Sequence, residues 1–261
     1  MNRAAALLAT AALAFAFPAQ ARVVAKSIDY EHDGQKLQGY LVWDNAKAGP
    51  MPGVLVVHEW WGLNDYTKNR ARQLAEMGYI AFAADMFGTG KVTRDVKQAQ
   101  AWYKEATEKP GLLASRSKAG LEVLKKQQGV DTKHLAAIGF CFGGTTVLQL
   151  AYSGEPLNGV VTFHGGLVVP DESQAKAIKT PILILHGAED TFIKAEAIAA
   201  IQKTFDAAKI DWYMVTYAHA VHAFTNPEAD SFKIPGIGYN EKAANRSWAE
   251  MQDFFREQFK R

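Results

Sequence analysis

Strand-like and helix-like runs alternate along the chain. Positions 36–43 alternate apolar and polar side chains, the period-2 pattern of a half-exposed strand. The run 53–58 is continuous and β-branched, as in a strand covered on both faces. Runs 79–84, 159–163 and 181–186 read the same way, and further strands are expected at 134–139 and 212–217. Helical spacings fill the gaps at 66–77, 112–127, 143–152 and 194–208, with a closing helix at 240–259. In that last helix Ala244, Trp248, Met251, Phe255 and Phe259 recur at intervals of three and four, and Phe254 widens the stripe. The alternation predicts a mainly parallel sheet with helices on both faces. One stretch departs from it: 88–111 is polar and basic, with a helical piece around 96–106, as in a cap or excursion beside a site.

The first residues stand apart from this pattern. Arg3 precedes an apolar run at 4–17, Pro18 breaks it, and Ala19 and Ala21 are small residues of the kind a signal peptidase accepts. The run is shorter than the roughly 20 residues that span a bilayer. Residues 1–21 are therefore expected to be a removed signal peptide, with secretion, to a bacterial periplasm, as the destination. Residues 22–261 are expected to form one α/β domain, since no repeat, low-complexity tract or linker divides them. No later stretch is apolar enough to span a membrane, so no membrane association is expected after cleavage.

Charge narrows the partners. The chain carries 29 Lys and Arg against 27 Asp and Glu, a net of +2, with the signs interspersed. Such near-neutrality gives no support for nucleic-acid binding. The seven histidines are not spaced like a metal site, and neither metal nor organic cofactor is implied. Cysteine usage is sharper: the chain has one, Cys141, so no intramolecular disulfide can form. A lone exported thiol is open to oxidation, and is either buried and inert or kept for its chemistry.

Cys141 lies in Gly139-Phe140-Cys141-Phe142-Gly143-Gly144, between a strand and a helix. This is the G-x-nucleophile-x-G spacing of a strained turn that presents its central side chain, with Cys where Ser is usual. Such an elbow needs an acid and a base further along, in that order. Asp190 follows the strand ending at His186, at the sheet edge where catalytic groups gather in parallel α/β folds; Glu189 competes with it. His219 and His222 both follow the strand ending at Tyr217. Cys141, Asp190 and His222 form a coherent triad, with His219 the alternative base.

These motifs resemble the dienelactone hydrolase family: G-x-C-x-G-G at 139–144, H-G-x-x-D at 186–190, and H-x-F at 222–224. So do His58-Glu59-Trp60-Trp61-Gly62, where the family carries E-x-x-G, and Asp85-Met86-Phe87-Gly88, similar to its D-x-[YF]-G turn. The likeness spans about residues 53–224. It implies an α/β-hydrolase fold with a mainly parallel, eight-stranded-type sheet. By the same resemblance Cys141 is the nucleophile, His222 the base (Phe224 two residues later decides for it) and Asp190 the acid orienting that base. Glu59 resembles a family glutamate that contacts the resting thiol and shifts when substrate arrives. Ala223 stands where the family more often has Gly.

The implied chemistry is hydrolysis of a small-molecule ester or lactone through an acyl-enzyme. The oxyanion would be met by the N–H of Phe142, at a helix start, and by that of Trp60 from the earlier loop. His58 ends a buried strand and reads as structural. His164 either lines the site or belongs to a turn. Two other uses of the chain stand beside this one: a thiol-redox protein built on Cys141, and a non-catalytic binding protein on the same fold. The first leaves Asp190 and His222 without a role and lacks a resolving cysteine.

Overall fold

The chain opens with a hairpin. β1 (Val23–His32) and β2 (Gln35–Asp44) pair antiparallel across Asp33 and Gly34, both at positive φ (49° and 74°). A two-residue hairpin turn requires that conformation at both positions, and Asp-Gly supplies it cheaply. Only the second of these strands is predicted by the alternation at 36–43. The computed structural model describes residues 23–260, so the signal peptide expected at 1–21 lies outside the described residues.

The remaining strands are β3 (Met51–Val57), β4 (Ile80–Ala84), β5 (Val130–Phe140), β6 (Gly159–Phe163), β7 (Ile182–Gly187) and β8 (Trp212–Tyr217). The sheet runs in the order β1-β2-β4-β3-β5-β6-β7-β8. Every pair from β4 onward is parallel, and β2 joins β4 antiparallel. This is the mainly parallel eight-stranded sheet, helices on both faces, that the α/β-hydrolase reading expects.

The helices are α1 (Asp65–Glu76), α2 (Val96–Thr107), α3 (Leu112–Lys125), α4 (Phe142–Tyr152), α5 (Glu172–Ala177), α6 (Ala195–Ala207) and α7 (Glu241–Gln258). Alternate residues of β3 feed opposite layers, because successive strand side chains point to opposite faces. Val54 and Val56 join Leu74 of α1 and Met251, Phe254 and Phe255 of α7. Leu55 and Val57 join Leu121 of α3, Val147 of α4 and Phe205 of α6. Each such side chain, fully buried, contributes about 1.5–3 kcal/mol of transfer free energy. α7 is the amphipathic helix the sequence predicts; Asn240 caps it by accepting from the Ala243 N–H at 3.0 Å.

A parallel sheet points all its carboxyl ends one way. The turns after β3, β5, β7 and β8 therefore converge on one edge, and the 88–111 excursion, with α2 inside it, lies alongside.

Candidate active site

Cys141 sits at the β5–α4 junction with φ 52° and ψ −116°, in the left-handed half of backbone space that a side chain enters only under constraint. Two glycines make the turn possible. A Cβ on Gly139 would meet the Gly143 carbonyl, and one on Gly143 would meet the carbonyls of Val57 and His58. The start of α4 thus lies directly against the end of β3. The Cys141 N–H is held twice, by the Phe163 carbonyl at 3.0 Å and by His164 Nδ1 at 3.1 Å.

His222 Nε2 is 3.1 Å from Cys141 Sγ, and its Nδ1 is 2.8 Å from Asp190 Oδ2. Asp190 and His222 are both buried. Asp190 Oδ1 accepts the Phe192 N–H at 2.9 Å, which fixes the carboxylate plane. Burial alone would lower the His222 pKa, but the facing sulfur and the Asp190 carboxylate outweigh it and push it up to about 10. The protonated ring is therefore the favoured state of His222. The competing pair is elsewhere: His219 Nδ1 meets Glu189 Oε1 at 3.0 Å in open solvent.

A cavity of about 380 Å³ opens over Cys141. Glu59, Trp60 and Phe142 line it, so the structure brings all six expected site residues to one place. Its wall is otherwise mostly apolar, including Trp61, Tyr103 of α2, Phe192 and Phe232. Glu59 is buried, and its Oε2 accepts from Asn226 Nδ2 at 2.7 Å; the thiol's own partner is His222. Burial pushes the Glu59 pKa up to about 7, against the lowering effects of the Asn226 hydrogen bond and the nearby His222 and Arg70 charges. Phe142 begins α4, whose first N–H groups have no acceptor within the helix.

Some of the site was not read from the sequence. Asn226 anchors Glu59, and its Oδ1 accepts the Glu228 N–H at 2.9 Å. His164 lies beneath the elbow, fully buried, with φ 41°. Its Nε2 is 2.6 Å from Thr225 Oγ1, which is 2.6 Å from the Tyr66 hydroxyl. Because Nδ1 accepts the Cys141 N–H, the ring proton must sit on Nε2 and point to Thr225. Burial, with the charges of His222 and Arg70, holds His164 well below the usual histidine range, so it stays neutral. Of these residues the sequence pointed only to His164, as one that either lines the site or belongs to a turn.

Among the described residues no Lys or Arg lines the cavity. Arg94 pairs with Glu228, donates to Ser231 Oγ at 2.7 Å and covers the cavity-lining Phe232 ring. Among the described residues no cluster of three His, Cys, Asp or Glu side chains is placed to hold a metal.

Comparison with known proteins bears on the family and the fold. The sequence profile of the dienelactone hydrolase family matches residues 37–259. A candidate carboxymethylenebutenolidase of Saccharolobus solfataricus is 31% identical, with the alignment covering 88% of this chain and 98% of that one. Among solved structures, a dienelactone hydrolase-like promiscuous phosphotriesterase from metagenomic libraries is 40% identical, with a TM-score of 0.88 over 90% of this chain and 98% of that one. The structure called m3DLH is 39% identical, with a TM-score of 0.87 over the same shares.

Proposed function

The chain belongs to the dienelactone hydrolase family, and we propose that it hydrolyses small, neutral esters or lactones through a Cys141–His222–Asp190 triad. The observation that carries this reading is the unbroken line from Asp190 Oδ2 through both His222 nitrogens to Cys141 Sγ. His222 Nε2 holds the thiol proton, and the sulfur attacks the carbonyl carbon. As the carbon–oxygen bond breaks, the same proton passes to the leaving alcohol. Water, deprotonated by the now neutral His222, then cleaves the thioester and frees the acid and the thiol. Asp190 keeps the ring in the required tautomer and supports its positive charge. The N–H groups of Phe142 and Trp60 receive the oxyanion. Glu59 belongs to the same machinery, as a buried acid beside His222.

The substrate class follows from the cavity wall. A planar carboxylate is best held by a bidentate guanidinium, and among the described residues no Lys or Arg lines the cavity. An apolar wall with few polar groups suits a neutral acyl or alcohol group. The 40% identical relative described as a promiscuous phosphotriesterase puts neutral phosphotriesters in the same panel. Export to the periplasm is part of the proposal and rests on the leader-like residues 1–21.

The test is mass spectrometry of the protein mixed briefly with a panel of esters and lactones. An acyl mass on the peptide bearing Cys141, absent in Cys141→Ala, is the expected result. Turnover by Cys141→Ala at the wild-type rate would overturn the covalent mechanism.

A further inference from the structure

His58 takes no part in the triad, yet it is completely buried at the end of β3, directly before two residues of the cavity wall. Its ring packs against Phe87 (centroids 4.9 Å apart) and Phe142 (5.9 Å). Both ring nitrogens are engaged. Nε2 accepts the Met86 N–H at 3.1 Å, so in a neutral ring the proton must sit on Nδ1. Nδ1 lies 2.5 Å from the Glu59 carbonyl oxygen and therefore donates to it. Burial keeps the His58 pKa below the ordinary histidine value, against the raising effects of that carbonyl and Asp85, so the neutral ring persists.

The carbonyl in question belongs to the Glu59–Trp60 peptide, the unit whose N–H is the Trp60 oxyanion donor. A trans peptide is planar, and its C=O and N–H point in opposite directions. Whatever holds the Glu59 oxygen therefore also aims the Trp60 N–H. Two donors hold it: His58 Nδ1, and the Gly62 N–H at 3.3 Å. Among the described residues the Trp60 N–H has no backbone or side-chain acceptor, and both Glu59 and Trp60 line the cavity with Cys141.

We propose that His58 is a positioning residue: its Nδ1–H pins the Glu59 carbonyl and so presents the Trp60 N–H to the oxyanion. The Met86 N–H sets the tautomer that makes this possible, which couples the turn after β4 to the site. The inference rests on the proposed acyl-cysteine chemistry and predicts a separable effect. Building an oxyanion needs the aimed N–H; alkylation of the same sulfur by iodoacetamide builds none.

The experiment compares wild type with His58→Phe and His58→Asn in two measurements, hydrolysis of p-nitrophenyl acetate and the rate of Cys141 alkylation by iodoacetamide. Phe keeps the packing but offers no donor. Asn places an amide nitrogen at the same number of bonds from Cα as Nδ1. Removing an oxyanion donor costs roughly 10²–10³ in kcat. His58→Phe is expected to lose roughly 10²-fold in kcat with little change in KM, while alkylation stays within about threefold. His58→Asn is expected to recover at least about tenfold of that loss. If His58→Phe does not fold, His58→Gln replaces it, since its amide reaches one bond too far for the Glu59 carbonyl while still accepting from Met86. Hydrolysis and alkylation falling in parallel, no fall in hydrolysis, or no advantage of Asn over Phe would each overturn the role of His58. Absence of any acyl adduct on wild-type Cys141 would instead remove the underlying mechanism, and the two failures are read in different samples.

Discussion

His219 pairs with Glu189 at 3.0 Å in open solvent, three residues from the buried His222 that meets Asp190 at 2.8 Å. The two acid–histidine pairs come from the same two turns, yet only the buried one reaches sulfur. Exposed pairs of this kind contribute little, about 0–1 kcal/mol. His219→Ala should leave kcat/KM within about twofold of wild type, whereas His222→Ala should lower it by roughly 10²–10⁴. Steady-state hydrolysis of an activated ester ranks the two. A larger loss at His219 would assign the base to the wrong histidine.

The resolution of that pair marks how far the sequence reaches. The elbow at Cys141, the sheet edge carrying Asp190 and the H-x-F at His222 are local patterns, and local patterns survive in one dimension. So do the core stripes: Met251, Phe254 and Phe255 of α7 pack as their spacing predicts. β1 was not anticipated, because its half-buried Ile28 and Tyr30 alternate with exposed Ser27, Asp29 and Glu31 and give only a weak stripe. The Asp33-Gly34 turn was its one clear signal. The supports of the site were hidden for another reason. His164 meets Thr225 across 61 positions, Glu59 meets Asn226 across 167, and no periodicity encodes such contacts. Ala223 is a smaller case: at φ 59° it occupies backbone space that favours glycine, the residue the family more often carries there.

Glu59 should make the folded state sensitive to pH. Its pKa rises from 4.5 unfolded to about 7 folded, so between those values the folded chain keeps a proton that the unfolded chain releases. Stability contributed by this group is therefore unchanged below about pH 4.5 and falls as pH rises towards 7. At 1.36 kcal/mol per pKa unit the deficit above pH 7 is on the order of 3 kcal/mol. Glu59→Gln keeps the acceptor for Asn226 without the charge. Denaturant unfolding should find the variant equal to wild type at pH 4 and more stable by up to about 3 kcal/mol at pH 8. Equal stability at both pH values would show that Glu59 is not held protonated by burial.

Charge selection by the cavity leads to a third expectation. Arg94, whose guanidinium covers the cavity-lining Phe232 ring, is occupied by Glu228 and Ser231. A neutral aryl ester or lactone should therefore show a higher kcat/KM than dienelactone, whose carboxylate would meet a mostly apolar wall with no guanidinium in it. Freeing the guanidinium by Glu228→Gln should narrow the gap, with the gain appearing in KM for the anion. If dienelactone is preferred over every neutral substrate in the panel, the apolar wall does not govern selection.

Thr225 lies at the far end of the support beneath the nucleophile. His164 accepts the Cys141 N–H at Nδ1 and must place its only proton on Nε2, towards Thr225 Oγ1. Thr225 is also bonded to Tyr66, and Arg70 donates to the Thr225 carbonyl at 2.8 Å. Thr225→Val removes the hydroxyl with little change of shape and leaves a buried N–H without a partner, at a cost of about 1–3 kcal/mol. The ring can escape that cost by moving its proton to Nδ1, but Nδ1–H then opposes the Cys141 N–H. In that tautomer the strained elbow loses one of its two restraints. Thr225→Val should thus lower stability by about that amount and lower kcat more than KM, because the thiol drifts from its line with His222. Thr225→Ser restores the acceptor and should recover both. If kcat is unmoved while stability falls, His164 and Thr225 hold the fold together without aiming Cys141.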